Sequence, residues 1–110
     1  MDSSLVSAIA NKYTNGHKLK SFCVSMEDGN DLVAARKVAE YLATDHYEYV
    51  YSEQEVLDIL PEVIYHLESF DPLLVRSAIP TYFVSKLASQ HVKVVLSGEG
   101  SDELFSGYRY

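Results

Sequence analysis

The sequence predicts an α/β protein in which a parallel sheet lies between two layers of helices. Short β-branched or aromatic runs alternate with longer segments whose apolar residues recur at helical spacing. This alternation favours parallel strands joined by right-handed crossovers. A glycine-rich acidic loop, residues 97–103, directly follows the last β-branched run. Such a loop is typical of the carboxyl end of a buried strand, where α/β proteins bind ligands.

Length and composition indicate one folded domain. The 110 residues allow a single modest core, and a content of 47% hydrophobic and 23% charged residues is ordinary for a globular chain. The formal net charge of −7 argues against nucleic acid or an anionic membrane as a partner. Cys23 is the single cysteine, and no signal-peptide or membrane-span pattern is present. We therefore expect an acidic, cytoplasmic domain without disulfides.

The first half of the chain predicts two helices and two strands. Asp2-Ser3-Ser4 precede an apolar run that is typical of a helix fading near residues 13–16. Residues 20–25 follow as a buried strand, in which we expect Cys23 to be buried and unreactive. Residues 31–42 form an amphipathic helix capped by Asn30 or Asp31. Residues 47–51 form the second strand, with three tyrosines on one face.

The second half predicts a helical region and a third strand. Ser52 caps a segment that Pro61 interrupts, so we expect a kink or two short helices there. Asp71 caps the next helix, with Pro72 at the first helical position. Val92–Leu96 is predicted to be a third buried strand, which ends in the acidic glycine loop.

Two polar segments are candidates for a ligand site. In the loop, Gly98 and Gly100 allow close backbone approach or positive φ, next to the carboxylates of Glu99, Asp102 and Glu103. The helix that begins at residue 2 offers free N–H groups suited to a phosphate, and carboxylates beside a phosphate suit Mg²⁺. The residues alone therefore indicate a Mg-nucleotide site, whereas the alternatives are a plain helix cap and a plain turn.

Other candidate residues carry weaker signals. The four histidines have no pair at i, i+4, which argues against a metal site built from them. Arg76 either faces an anion or pairs with Asp71, and the residues leave both alternatives open.

The loop motif resembles a known family. Residues 97–104, Ser-Gly-Glu-Gly-Ser-Asp-Glu-Leu, with Gly107-Tyr108 behind them, resemble the SGEG-S/A-DE-L motif of glutamine-hydrolysing asparagine synthetases. Asp2–Val6 resembles the tail of that family's pyrophosphate loop, SGGxDSSLV. Further segments at family spacing are residues 22–28, 31–39, 45–48, 66–71 and 75–76. The resemblance implies a single partial synthetase (ATP pyrophosphatase) domain over residues 1–110, with a truncated adenine-nucleotide α-hydrolase-like fold.

The resemblance also implies an activity, an ATP-dependent amide ligase. Aspartate attacks the α-phosphorus of ATP to give β-aspartyl-AMP and pyrophosphate, and ammonia then displaces AMP. The ammonia comes from glutamine through a glutaminase domain absent here, and we expect a homodimer. The implied cofactors are ATP and Mg²⁺. The implied residues are Asp2 and Asp102 for the metal, Asp2, Ser3, Ser4, Val24, Ser97 and Gly98 for the nucleotide, and Glu99 and Arg76 for catalysis.

Two departures from the family pattern leave alternatives open. Leu73-Leu74 stand where the family has two threonines, so an amidotransferase acting on another carboxylic acid is one alternative. The Ser-Gly-Gly of the pyrophosphate loop and the strand before it do not precede Asp2. We therefore expect the isolated fragment to be inactive and to self-associate through an unpaired sheet edge. A non-catalytic adenine-nucleotide-binding module and a dimerising structural fragment are the remaining alternatives.

Overall fold

The structure, a computed structural model, describes residues 1–27 and 29–107. Asp28 and Tyr108, on which parts of the motif comparison fall, lie outside the described residues. Helices and strands alternate through most of this range. In chain order they are α1 (Asp2–Asn11), β1 (Lys20–Met26), α2 (Asp31–Leu42), β2 (Asp45–Tyr51), α3 (Glu53–Leu67), α4 (Pro72–Ser89) and α5 (Ser101–Phe105).

The two strands pair in parallel, in a register that runs from Lys20 opposite Asp45 to Met26 opposite Tyr51. Helix α2 connects them and packs on one face of the sheet, where Arg36 binds Glu48. Helix α4 packs on the other face, where the Phe83 ring stacks on Tyr51. Because side chains alternate between the faces of a strand, these contacts place helices on both sides. The predicted three-layer α/β arrangement is confirmed.

The core forms mainly where α4 meets the sheet. The ring centroids of Phe83 and Tyr51 are 4.4 Å apart, and Tyr49 contacts Phe83 at 5.7 Å. Tyr47 stacks on Phe22 with ring centroids 5.5 Å apart. The three tyrosines occupy alternate positions of β2 and therefore share one face, as predicted. The buried hydrophobic residues are Leu32, Ala39, Tyr51, Val63, Phe83 and Ala88.

The helix caps of the second half agree with the sequence. Ser52 forms a capping box with Glu55, and the Asp71 carboxylate accepts hydrogen bonds from the N–H groups of Leu73 and Leu74. The expectation of two short helices around Pro61 is wrong, because α3 is one helix over Glu53–Leu67. Its strong N-cap and its packing against α4 offset the backbone hydrogen bond that proline cannot form.

The predicted third strand is not formed. Residues 92–96 join no ladder in the part of the chain that the structure describes. Val94, Val95 and Leu96 are 79%, 56% and 68% exposed, although their composition is that of a buried strand. A strand needs a neighbour to hydrogen-bond with, and β1 pairs only with β2 among the described residues. The prediction of a buried strand is therefore wrong.

Two predictions about the first half also need correction. Helix α1 begins at Asp2, but Met1 is its N-cap, with no side-chain cap hydrogen bond. Asn30 is the N-cap of α2, as predicted, although its side chain makes no cap hydrogen bond. Cys23 is only half-buried, although β1 contacts β2, α2 and α4. None of the described helices is long and apolar enough to cross a membrane.

Candidate functional site

The glycine loop packs directly against the start of α1. A Cβ atom added to Gly98 would lie 2.6 Å from the backbone nitrogen of Ser3 and 3.0 Å from the carbonyl carbon of Asp2. Only glycine permits so close an approach of the two backbones. The structure thus brings together the two polar segments that sequence analysis selected at opposite ends of the chain.

The start of α1 presents backbone donors to this junction. The first intrahelical bond runs from the N–H of Leu5 to the carbonyl of Met1, at 3.1 Å. The N–H groups of Asp2, Ser3 and Ser4 precede it and have no carbonyl partner within the helix. Such groups, together with the helix dipole, favour a bound anion.

The loop is held by its own hydroxyl groups. Ser97 Oγ accepts a hydrogen bond of 3.0 Å from the N–H of Glu99, and Ser101 Oγ donates to the carbonyl of Gly98 at 2.7 Å. Gly100 adopts a φ of 87°, a conformation that favours glycine, and α5 begins directly after it. The predicted need for positive φ in this loop is confirmed at Gly100.

The Asp102 carboxylate lies over Gly107. A Cβ atom at position 107 would overlap Asp102 Oδ1, so a side chain there would displace the carboxylate. The N–H of Gly107 donates to the Asp102 carbonyl at 3.1 Å. Asp2 and Asp102 are both half-buried. Among residues 1–27 and 29–107, no group of three or more His, Cys, Asp or Glu side chains is arranged to hold a metal ion.

Three other predicted site residues lie on α4, on β1 and at the tip of the glycine loop. Arg76 is exposed in the second turn of α4, and none of the described hydrogen bonds or ion pairs involves its side chain. The alternative that Arg76 pairs with Asp71 is therefore wrong; Asp71 caps α4 instead. Val24 lies in β1 opposite Tyr49. Glu99 is exposed at the tip of the loop.

The sequence did not predict a hydroxyl-lined cleft that lies next to α1. It encloses about 100 Å³, and its polar lining residues are Ser3, Ser4, Ser7, Ser21, Thr44 and His46. Ser21 Oγ lies 2.7 Å from both Thr44 Oγ1 and His46 Nδ1. His46 Nε2 is buried and makes no hydrogen bond, although it lies 3.2 Å from Glu48 Oε1 and pairs with it when protonated. Ser21 and His46 face each other across the two strands, a pairing that the sequence pattern does not specify.

An ion pair beside this cleft joins α2 to β2. Arg36 Nε and Nη2 hold both carboxylate oxygens of Glu48, at 2.7–3.0 Å. These hydrogen bonds lower the pKa of Glu48, and the Arg36 charge and His46 add to the effect.

Burial and the nearby Glu48 charge raise the pKa of Cys23, which keeps its thiol protonated. A protonated thiol is a poor nucleophile, in line with the expected lack of reactivity.

These features define an α/β protein with parallel strands, a crossover helix and a polar loop seated on a helix N-terminus. Residues 1–110 match the family described as Asparagine synthase. The chain is 45% identical over 119 residues to a glutamine-hydrolyzing asparagine synthetase of Zea mays, covering 100% of this chain and 20% of the relative. It is also 45% identical over 123 residues to a probable glutamine-hydrolyzing asparagine synthetase of Dictyostelium discoideum, covering 100% of this chain and 22% of that protein.

The chain belongs to the asparagine synthase family. It spans about a fifth of the length of the curated relatives it matches. The resemblance carried by the loop motif and by the start of α1 is thereby confirmed.

Proposed function

We propose that the chain forms part of the ATP-dependent amide-ligase domain of a glutamine-hydrolysing asparagine synthetase. One observation carries the proposal: Gly98 lies against the Ser3 nitrogen and so joins the glycine loop to a helix N-terminus. The names of the relatives supply the reaction class, because they are described as glutamine-hydrolyzing asparagine synthetases.

The nucleotide would bind across this junction. The free N–H groups and hydroxyls of Ser3 and Ser4 suit the phosphates, because a helix N-terminus attracts anions. Gly98 lies where the loop meets these donors, so it and the neighbouring Ser97 would contact the same phosphates. Val24, in β1, would contact the adenine ring. The acidic chain needs such local donors, since its net charge of −7 repels a free nucleotide.

Asp2 and Asp102 would hold Mg²⁺, which neutralises phosphate charge when bound. Two carboxylates are enough, because Mg²⁺ takes one or two from a protein and completes its shell with water and phosphate oxygens. The two segments that carry these aspartates adjoin at Gly98, and Gly107 leaves room for the Asp102 carboxylate. The site thus fits a metal that is shared with a phosphate.

The catalytic proposal concerns Glu99 and Arg76. Aspartate and ATP would give β-aspartyl-AMP and pyrophosphate, and ammonia from glutamine would then displace AMP. Glu99, at the exposed tip of the loop, would accept a proton from the ammonia nucleophile or orient it. Arg76 would supply positive charge where negative charge develops.

We also propose that these residues alone bind Mg-ATP without completing the reaction. The Arg76 side chain is exposed, and none of the described hydrogen bonds or ion pairs links it to the loop that carries Glu99. A homodimer is part of the same proposal. The exposed Val94, Val95 and Leu96 offer an apolar surface to a second copy.

An amidotransferase for another acid is the second candidate function. Leu73 and Leu74 are 74% and 55% exposed in the first turn of α4, where hydroxyl groups would otherwise contact a polar substrate. Competition of aspartate with other dicarboxylic acids in an AMP-forming assay of the longer protein would separate the two candidates.

The test is a thermal unfolding series in Mg²⁺ with increasing ATP. A ligand that binds only the folded state adds about 2.7 kcal/mol at roughly hundredfold excess over its Kd. We expect the midpoint to rise with ATP, Asp102→Ala to abolish the rise and Glu99→Ala to keep it, because Glu99 serves chemistry and not binding. Glu40→Ala, an exposed acidic position on α2, is the control and should behave like the parent chain. No rise at millimolar ATP would contradict the proposal.

A further inference from the structure

A second cleft lies between α3 and α4, and no residue of the glycine loop or of α1 lines it. It encloses about 290 Å³, close to the lower bound of small-molecule sites. Its floor is apolar, formed by Ile59, Phe83 and Leu87. Its rim is polar: Asp58 comes from α3, and Lys86 and Gln90 come from the C-terminal half of α4 and its end.

The rim carries opposite charges that do not neutralise each other. Among the described residues, Lys86 forms no ion pair with Asp58 or Glu55, and its Nζ lies 5.7 Å from the centre of the Tyr82 ring. Asp58 uses Oδ1 to accept a hydrogen bond from Gln54. The second Asp58 oxygen and the Lys86 ammonium are therefore available to a ligand.

The third charged group of the cleft is already engaged. Glu55 accepts hydrogen bonds from the Tyr49 hydroxyl and from the backbone N–H and hydroxyl of Ser52. The Tyr49 bond, the Ser52 bonds and the Lys86 charge together lower the pKa of Glu55. Glu55 therefore stays charged without needing a ligand, and its charge disfavours a simple anion in the cleft.

We propose that this cleft binds a free α-amino acid with an apolar side chain. The ligand's ammonium group would meet Asp58, its carboxylate would meet Lys86 and the Gln90 amide, and its side chain would lie on Ile59, Phe83 and Leu87. A zwitterion pairs with both charges at once. A lone anion would be repelled by the carboxylates of Glu55 and Asp58, and a lone cation would be repelled by Lys86. The apolar floor favours leucine-like side chains over charged ones, because a charge there would lose its hydration. This site is independent of the proposed ligase chemistry.

The first test is an NMR titration of the 110-residue chain with L-leucine. We expect saturable amide shifts at residues 55–59 and 83–90. L-Leucinamide lacks the carboxylate and 4-methylpentanoate lacks the ammonium group, so each should bind about tenfold more weakly. The absence of saturable shifts, or equal binding of all three compounds, would overturn the proposal.

Variants give the second test. Lys86→Met and Asp58→Asn should each weaken L-leucine binding about tenfold, while Lys37→Met on α2 should leave it unchanged. Lys86 and Asp58 are exposed, so both variants should keep the fold, which circular dichroism checks. Wild-type affinity in Lys86→Met would overturn the assignment. The Mg-ATP midpoint series is unaffected by either result, so failure here is distinct from failure of the ligase proposal.

Discussion

Gly98 is the residue on which the candidate site depends. Its missing side chain lets the glycine loop touch the Ser3 backbone, and a Cβ atom there would be 2.6 Å from the Ser3 nitrogen. The contact is between two backbones, so neither partner relieves it by a rotamer change. The phosphate donors of α1 and the loop residues are therefore held together by a single small residue.

Gly98→Ala should separate the loop from α1. We expect a loss of about 1–3 kcal/mol in unfolding free energy, typical of overpacking, and loss of the ATP-dependent rise in melting midpoint. Gly16→Ala is the control, because Gly16 has a φ of 87° and open space around its Cα. It should lower stability through backbone strain but keep the rise. A Gly98→Ala chain that still responds to Mg-ATP would contradict this role.

Glu48 gives the domain an acid-sensitive ion pair. Its hydrogen bonds to Arg36 lower its pKa from the ordinary value of 4.5, so its contribution to stability is complete above that pH and is lost as the pH falls through the lower folded pKa. Glu48→Gln should therefore melt below the parent at pH 7, and the gap should close as the pH drops below 4.5. Melting curves across pH measure this. Glu40→Gln, at an exposed position on α2, should show no such gap, and a pH-independent gap for Glu48→Gln would refute the pKa assignment.

At the scale of elements, α3 shows how local signals act together. Ser52 and Glu55 satisfy each other's backbone donors in a capping box, and Val63 is 3% exposed. These contributions keep one helix through Pro61, where the sequence predicts a kink or two short helices.

Ser52→Ala should remove the capping box of α3. We expect a loss of about 1 kcal/mol in unfolding free energy, because the N–H of Glu55 loses its acceptor, the Ser52 hydroxyl. Urea unfolding measures it. Ser77→Ala removes a hydroxyl that bonds to the Leu73 carbonyl within α4, outside any cap, and should change stability by less than about 0.5 kcal/mol. Equal losses in the two variants would count against the capping role.

Caps were predictable because their partners lie within a few residues. Ser52 and Asp71 both cap where expected, and the helical and strand periods identified all the elements up to α4. Val92–Leu96 was not predictable in this way. Its composition is that of a strand, but a ladder requires a neighbour elsewhere in the fold, which the local pattern does not specify.

At the scale of the whole molecule, the exposed segment 94–96 bears on self-association. Val95→Lys should place a charge in the proposed contact between copies and weaken a homodimer about tenfold, because a buried unpaired charge is costly. Sedimentation equilibrium measures the dissociation constant. Val33→Lys is a matched control, since Val33 is 53% exposed on α2 and Val95 is 56% exposed. A monomeric parent chain, or equal weakening by both variants, would contradict the proposed interface.

The sequence by itself determined the alternation of helices and strands up to α4, the caps of α3 and α4, the glycine-carboxylate motif and the family. Each of these depends on residues close together in the chain, whose spacing sets local hydrogen bonds and one-sided burial. Only the tertiary structure decided that Gly98 meets Ser3, that the exposed Arg76 side chain forms none of the described ion pairs, and that Val92–Leu96 pairs with no described strand. It also decided where Asp58 and Lys86 face a common apolar floor. These relations join residues distant in sequence, and their positions follow from how the helices pack on the sheet.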